Sequence, residues 1–234
     1  MSNLRFPKTP KTIKVIIYVN VIVYIASFIS ERFGLDLSLI FGATPVLIIE
    51  KYFLWQLFTY MFVHANIFHL LLNLLMLWML GTELYYLWGR NFFIKYYFIC
   101  GLGGGISILL MSFVDQRTAL IPTVGSSGAI FGLLLAYGIT FKNKLLYVLG
   151  LFPVKAGILV IILGAVEFFS LFSNKDSSIS HIAHLGGLIT GLAYLKIKEL
   201  EKKLTAKKYS KLKERYKVVV DNRDIDNDNP KLWN

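Results

Sequence analysis

Stretches poor in charge alternate with polar breaks along the 234-residue chain, and about 20 apolar residues is the length of one helical bilayer crossing. Six such windows can be drawn: Ile13 to Ile29, Ile67 to Leu87, Phe92 to Phe113, Ser126 to Phe141, Ala156 to Phe172 and Ser177 to Leu195. The pattern predicts an all-α, polytopic membrane protein with six transmembrane helices. The first connection, Ser30 to Asn66, is irregular in a different way. It holds Gly34, Gly42 and Pro45 with a dense aromatic set, Tyr52, Phe53, Trp55, Phe58, Tyr60 and Phe62. Amphipathic aromatics collect at headgroup depth, so this loop is expected to lie in or dip into the interface, the alternative being a small folded loop outside the membrane. The fourth window also stands apart. Its uncharged run begins at Thr118, but Pro122 and Gly125-Ser126-Ser127-Gly128 interrupt it, so a regular helix is not expected before Ser126. Irregular backbone at membrane depth survives where protein or a wet cavity satisfies its polar groups.

Composition agrees with this reading: 56% of residues are hydrophobic and 15% aromatic, with a mean hydropathy of +0.59. The net charge of +11 follows from where connections face, and nucleic-acid binding is not needed to explain it. Arg5, Lys8, Lys11 and Lys14 precede or open the first span; Arg90 and Lys95 flank the second connection, and Lys142, Lys144 and Lys155 the fourth; basic residues run from Lys196 to Lys217. The other side has Arg32, Lys51, Arg117 and Lys175. Both termini are therefore expected in the cytoplasm. The organisation is a basic N-terminus over 1–12, a membrane domain over 13–195 and a basic tail over 196–234, with Lys196 to Lys217 continuing as helix or lying on anionic lipid and Asp221 to Asn234 disordered. Glu31 and Arg32 follow the first apolar run where a signal peptide would have small residues, so that run is expected to be retained. A bacterial inner membrane is the simplest placement. The single cysteine, Cys100, excludes an intrachain disulfide and is expected to be a buried small hydrophobe.

Polar side chains inside spans mark function by default, because each is costly there. All four histidines, His64, His69, His181 and His184, lie beside or just inside the outer ends of the second and sixth spans. His69 and Asn73 are four apart and share a helix face. Spans two, four and six all run inward from the outer side, which brings His69, Asn73, Ser127 and His184 to similar depth. Ser127, between Gly125 and Gly128 at a helix start, has free backbone N–H groups nearby that suit a developing oxyanion. Gly128 and Gly132 on span four, and Ala183, Gly187 and Gly191 on span six, permit close helix approach. The reading is Ser127 as nucleophile, His184 as general base and acid, and Asn73 and His69 as oxyanion donors, with no cofactor. Position alone leaves Ser126 as a rival nucleophile. Glu83 and Glu167 are expected to be structural or interfacial and too far away to serve as acid or base. No acidic residue is expected to orient His184, so a dyad is preferred to a triad. A metal site on His181, His184 and His69 is the chemical competitor, disfavoured because no carboxylate or thiolate accompanies them and no HExxH is present.

Taken together the motifs resemble the rhomboid family, over about Ile13 to Leu195. His69-Leu70-Leu71-Leu72-Asn73 is similar to its HxxxN, Gly125-Ser126-Ser127-Gly128 to its GxSG, and Ala183-His184 with Gly187 and Gly191 to its AHxxGxxxG. The resemblance implies Ser127 rather than Ser126 as nucleophile and His184 rather than His181 as base, supported by Gly125, Gly128, Phe131 and Gly187. It further implies a six-helix bundle, a water-filled depression over the dyad, and substrates that are usually single-span membrane proteins cut near the outer face in segments prone to unwind. Two positions depart from the family pattern. Trp55-Gln56 stands where Trp-Arg is usual, and Phe131 where tyrosine often stacks on the base; phenylalanine retains the stacking face, so activity is expected to survive. The alternatives are an inactive rhomboid-like protein that binds membrane clients, and a transporter or channel using the same cavity.

Overall fold

The computed structural model describes residues 8–148, 151–173 and 178–215. The expected disorder of Asp221 to Asn234 and the extreme N-terminus lie outside the described residues. The first apolar window forms α1 (Lys11–Glu31). The second forms a near-continuous helix in three parts: α5 (Ile67–Met76), a π-helical turn (Leu77–Gly81) and α6 (Thr82–Trp88). The third forms α7 (Arg90–Ser112). These three are long and apolar enough to cross a membrane. Two shorter apolar helices follow, α8 (Ser127–Thr140) and α9 (Ala156–Ser173), and the last is α10 (Ser178–Arg215).

One connection departs from the all-α expectation. Between α8 and α9 the chain makes an antiparallel hairpin, β1 (Leu145–Val148) paired with β2 (Phe152–Lys155). Tyrosine, valine and phenylalanine at these positions favour extended backbone, and the connection is long enough to fold back on itself. The hairpin is tied to the helical body at its base. Lys144 bonds Glu83 through Nζ at 2.5 Å, and the Tyr137 hydroxyl donates to the same carboxylate at 3.0 Å. Glu83 is thus structural, as its place at the end of the second window suggested.

The segment between α1 and α5 folds into short helices, α2 (Leu37–Phe41), α3 (Pro45–Glu50) and α4 (Gln56–Thr59), then a 3₁₀ turn at Tyr60–Phe62. Gln56 staples it. Fully buried, its Oε1 accepts from the Thr44 N–H at 3.1 Å while Nε2 donates to the carbonyls of Leu39 at 2.9 Å and Ile40 at 3.2 Å. An amide has both an acceptor and donors, so one neutral side chain closes three backbone groups. Its neighbour Trp55 remains partly exposed and donates its indole N–H to Ile40. This folded segment is then stitched to the chain before α8. Ala43 and Thr123 exchange two backbone hydrogen bonds, 2.8 and 2.9 Å, and the Gly125 N–H donates to the Tyr60 carbonyl at 2.9 Å.

Buried apolar side chains from α1, α5 to α8 and α10 make one core, including Ile13, Leu77, Leu84, Phe93, Tyr96, Leu133 and Ala183. Outside it, large apolar side chains stay exposed: Val15, Tyr18, Ile22, Ile25 and Phe28 on α1, and Ile158, Ile161, Val166 and Phe169 on α9. A water-soluble surface does not carry apolar belts of this extent, whereas lipid tails accept them without cost. From Lys196 onward the described residues belong to a separate unit. Its described part is exposed helix, with Lys198–Glu201 and Glu199–Lys203 ion pairs one turn apart.

Candidate active site

Ser127 is the first residue of α8, and the preceding Ser126 offers no side-chain cap to the first turn. The first N–H groups of α8 are thus left uncapped by that side chain. Gly125 makes this entry possible. Its φ of +116° is left to glycine on steric grounds, and a Cβ there would run into the imidazole of His69. The histidine of span two thus lies directly against the loop that leads into α8. Ser126 is buried, with 2% of its surface exposed, while Ser127 is more open. The Ser127 side of the turn is the more accessible of the two.

His184 approaches Ser127 from α10. Its Nε2 is 2.7 Å from the Ser127 Oγ, a hydrogen bond. The contact requires α8 and α10 to touch through backbone, and they do: a Cβ on Gly187 would collide with the Gly128 carbonyl. On the other face of the imidazole lies Phe131, one turn beyond Ser127, stacked at a centroid distance of 4.2 Å and an interplanar angle of 11°. Asn73 is buried on α5, where its Nδ2 donates to the His69 carbonyl at 2.8 Å, leaving that amide a second N–H to give. His64 packs edge-on against His69, the ring centroids 5.1 Å apart.

A match to the rhomboid domain covers residues 52–198 of the chain. The chain belongs to the rhomboid family. It is 35% identical to the rhomboid protease GluP of Bacillus subtilis (strain 168), over 64% of this chain and 27% of that protein. It is 31% identical to rhomboid protein 1, mitochondrial, of Saccharomyces cerevisiae, over 57% of this chain and 38% of that one, and 33% identical to RHOMBOID-like protein 1 of Arabidopsis thaliana, over 64% and 36%. The chain thus spans well under half the length of these relatives. Family and apolar helices together make it an integral membrane protein.

Within this rhomboid the two departures acquire a structural account. Gln56 serves the fold of the first connection through neutral hydrogen bonds, and Phe131 keeps the stack on His184 without a hydroxyl. One expectation is overturned. Glu167 is not remote from the site: from α9 its Oε2 reaches Nδ1 of His181 at 2.5 Å and lies 3.0 Å from Nδ1 of His184. The first contact is a hydrogen bond. The second lies within ion-pair distance but outside hydrogen-bonding alignment, so the buried Nδ1 of His184 has no bond in line. The helix α9 packs Ala156, Val160 and Leu163 against the core and turns Glu167 toward the histidines of α10, where a carboxylate in apolar surroundings finds a partner.

The same finding corrects the premise that no carboxylate accompanies the histidines. Glu167, His181 and His184 form a cluster whose potential ligand atoms all lie within 4.8 Å. Its spacing is nevertheless that of hydrogen bonds. Two ligands on one tetrahedral zinc sit about 3.3 Å apart, and the carboxylate oxygen is nearer than that to both nitrogens. Sequence reasoning also passed over Tyr60, whose hydroxyl donates to the Gly101 carbonyl at 2.7 Å, and the Gly101 to Gly105 run of α7, which meets Tyr60 and α10. The signals were available: a lone acid in an apolar window, and four glycines in five residues.

Proposed function

We propose that this rhomboid is an intramembrane serine endopeptidase that cleaves transmembrane protein substrates near the outer membrane face through a Ser127–His184 dyad. The observation that carries the reading is the 2.7 Å hydrogen bond between Ser127 Oγ and His184 Nε2 at the start of α8. Ser127 Oγ attacks the scissile carbonyl carbon as its proton passes to Nε2 of His184. The negative oxygen that forms is stabilised by the Ser127 backbone N–H with Asn73 and His69. Collapse breaks the C–N bond, His184 returns the proton to the leaving amine, and an acyl-serine remains. Water then adds to the ester carbonyl, giving its proton to His184, and the second collapse releases the carboxylate product and restores Ser127. The similarity to relatives in Bacillus subtilis, Saccharomyces cerevisiae and Arabidopsis thaliana, the first of them named a rhomboid protease, supports the class.

The setting of the dyad bears on substrate. A stable helix hides its carbonyls in its own hydrogen bonds, so the substrate segment must unwind before Ser127 can reach one. Six spans with cytoplasmic termini, the long first connection seated in the interface, and a bacterial inner membrane complete the placement. Purified protein in liposomes with a single-span substrate tests the proposal. Ser127→Ala should lower cleavage at least about 1,000-fold, and a fluorophosphonate should label Ser127 and not Ser126. Cleavage that survives Ser127→Ala ends the serine mechanism; cleavage abolished by chelators alone would install a metal. Client binding without cleavage by the wild type would favour the inactive, client-binding alternative.

A further inference from the structure

The side of His184 away from Ser127 carries a group that the dyad does not use. His184 spends Nε2 on Ser127, so the neutral ring that is to take the serine proton must carry its own hydrogen on Nδ1. That atom is buried and lacks a bond in line. The acceptor beside it is Oε2 of Glu167, 3.0 Å away. Glu167 is itself sheltered, its side chain 12% exposed, and its Oε2 is held by the 2.5 Å bond from His181 Nδ1, one helical turn before His184. Phe131 covers a face of the base. The imidazole is thus bounded by a hydroxyl at one nitrogen, a ring on its face and a carboxylate at the other nitrogen.

We propose that Glu167 is a positioning residue for His184, with His181 as its anchor, and that the working unit is Ser127, His184 and Glu167 rather than the dyad alone. The inference rests on the serine-protease reading above. Rotation of the carboxylate about its terminal torsion, which is soft for glutamate, brings Oε2 into line with Nδ1. There it selects the Nδ1–H tautomer, turns Nε2 toward Ser127 and stabilises the imidazolium formed as Ser127 gives up its proton, without itself taking that proton. The titratable groups that face His184 are Glu167 from α9, His181 from its own helix and His69 from α5; α8 presents Ser127 and Phe131.

The test is the pH dependence of kcat and kcat/KM for a single-span substrate in liposomes, for wild type, Glu167→Gln, Glu167→Asp, His181→Gln and Ser127→Ala. Glu167→Gln should lower kcat about 10- to 100-fold with little change in KM, slow fluorophosphonate labelling of Ser127 in parallel, and move the acid limb of kcat/KM to lower pH. The limb moves because the charge that favours protonated His184 is gone. Glu167→Asp should recover part of the rate, and His181→Gln should move the limb the same way by less. Unchanged kcat and acid limb in a Glu167→Gln protein with wild-type Tm would overturn the inference. So would a fall in Tm and rate with the acid limb in place, which would make Glu167 a structural partner of His181. Should Glu167→Gln fail to fold, an unmoved limb in both His181→Gln and Glu167→Asp has the same force. Failure of the protease reading is separate, since it appears as activity in Ser127→Ala or as no cleavage by the wild type.

Discussion

Single side chains around the Ser127–His184 pair do two different jobs, and each can be isolated. Phe131 contributes a ring face to His184, a contact worth about 0.5–1.5 kcal/mol. Phe131→Leu should therefore reduce kcat/KM about 2- to 10-fold, whereas Phe131→Tyr should stay near wild type, as read from initial cleavage rates. His64, ahead of the second span, answers to pH through stability rather than catalysis. Burial, and then the nearby His69, push its pKa from 6.5 down to about 4, against a weaker pull from the Phe62 carbonyl. The unfolded chain binds the proton below 6.5 and the folded one resists it until about 4. Stability is therefore full above pH 6.5 and declines as pH falls through that window, by on the order of 3 kcal/mol. Thermal unfolding in detergent should show this slope in wild type, and His64→Phe should flatten it.

At the level of elements, activity depends on how closely helices and loops can approach. Gly187→Val would push a side chain into the Gly128 backbone, which cannot yield as a flexible side chain would. The helices must separate, taking His184 from Ser127, and both Tm and cleavage should fall sharply. Gly164→Ala is the matching control: its Cβ would meet only Leu188 Cδ1 at 3.8 Å, and alanine favours helix, so Tm should hold or rise and cleavage persist. The first connection has its own keystone. Gln56→Ala removes the acceptor of the buried Thr44 N–H, which costs about 1–3 kcal/mol. Gln56→Arg should also destabilise, since guanidinium has no acceptor for that N–H. Both are measurable as Tm shifts.

For the whole molecule the question is orientation. The sole cysteine is buried between α7, α8 and α10, so a protein with Cys100→Ala can carry single reporter cysteines. In intact cells, Lys8→Cys should resist a membrane-impermeant maleimide and Leu120→Cys, in the exposed turn after α7, should react. The reverse pattern would invert the topology. The hairpin, being on the side of Lys142 and Lys144, should be protected with Lys8.

Apolar windows and glycine-flanked polar residues determined by themselves where the main helices run, that a membrane surrounds them, and which few polar side chains to watch. Those signals are local: one span's length, one turn's spacing, one motif's order. Ser126 and Ser127 are equivalent by position, and the difference in their exposure is a property of packing. Leu145 to Lys155 read as a simple connection because hairpin pairing is made between segments. Gln56 looked like a lost charge until its three backbone partners came together from distant positions. Glu167 shows the limit most plainly. One acid in an apolar window announces that a partner exists, but its identity depends on how α9 is rotated against α10, and that rotation is set by side-chain packing across the bundle.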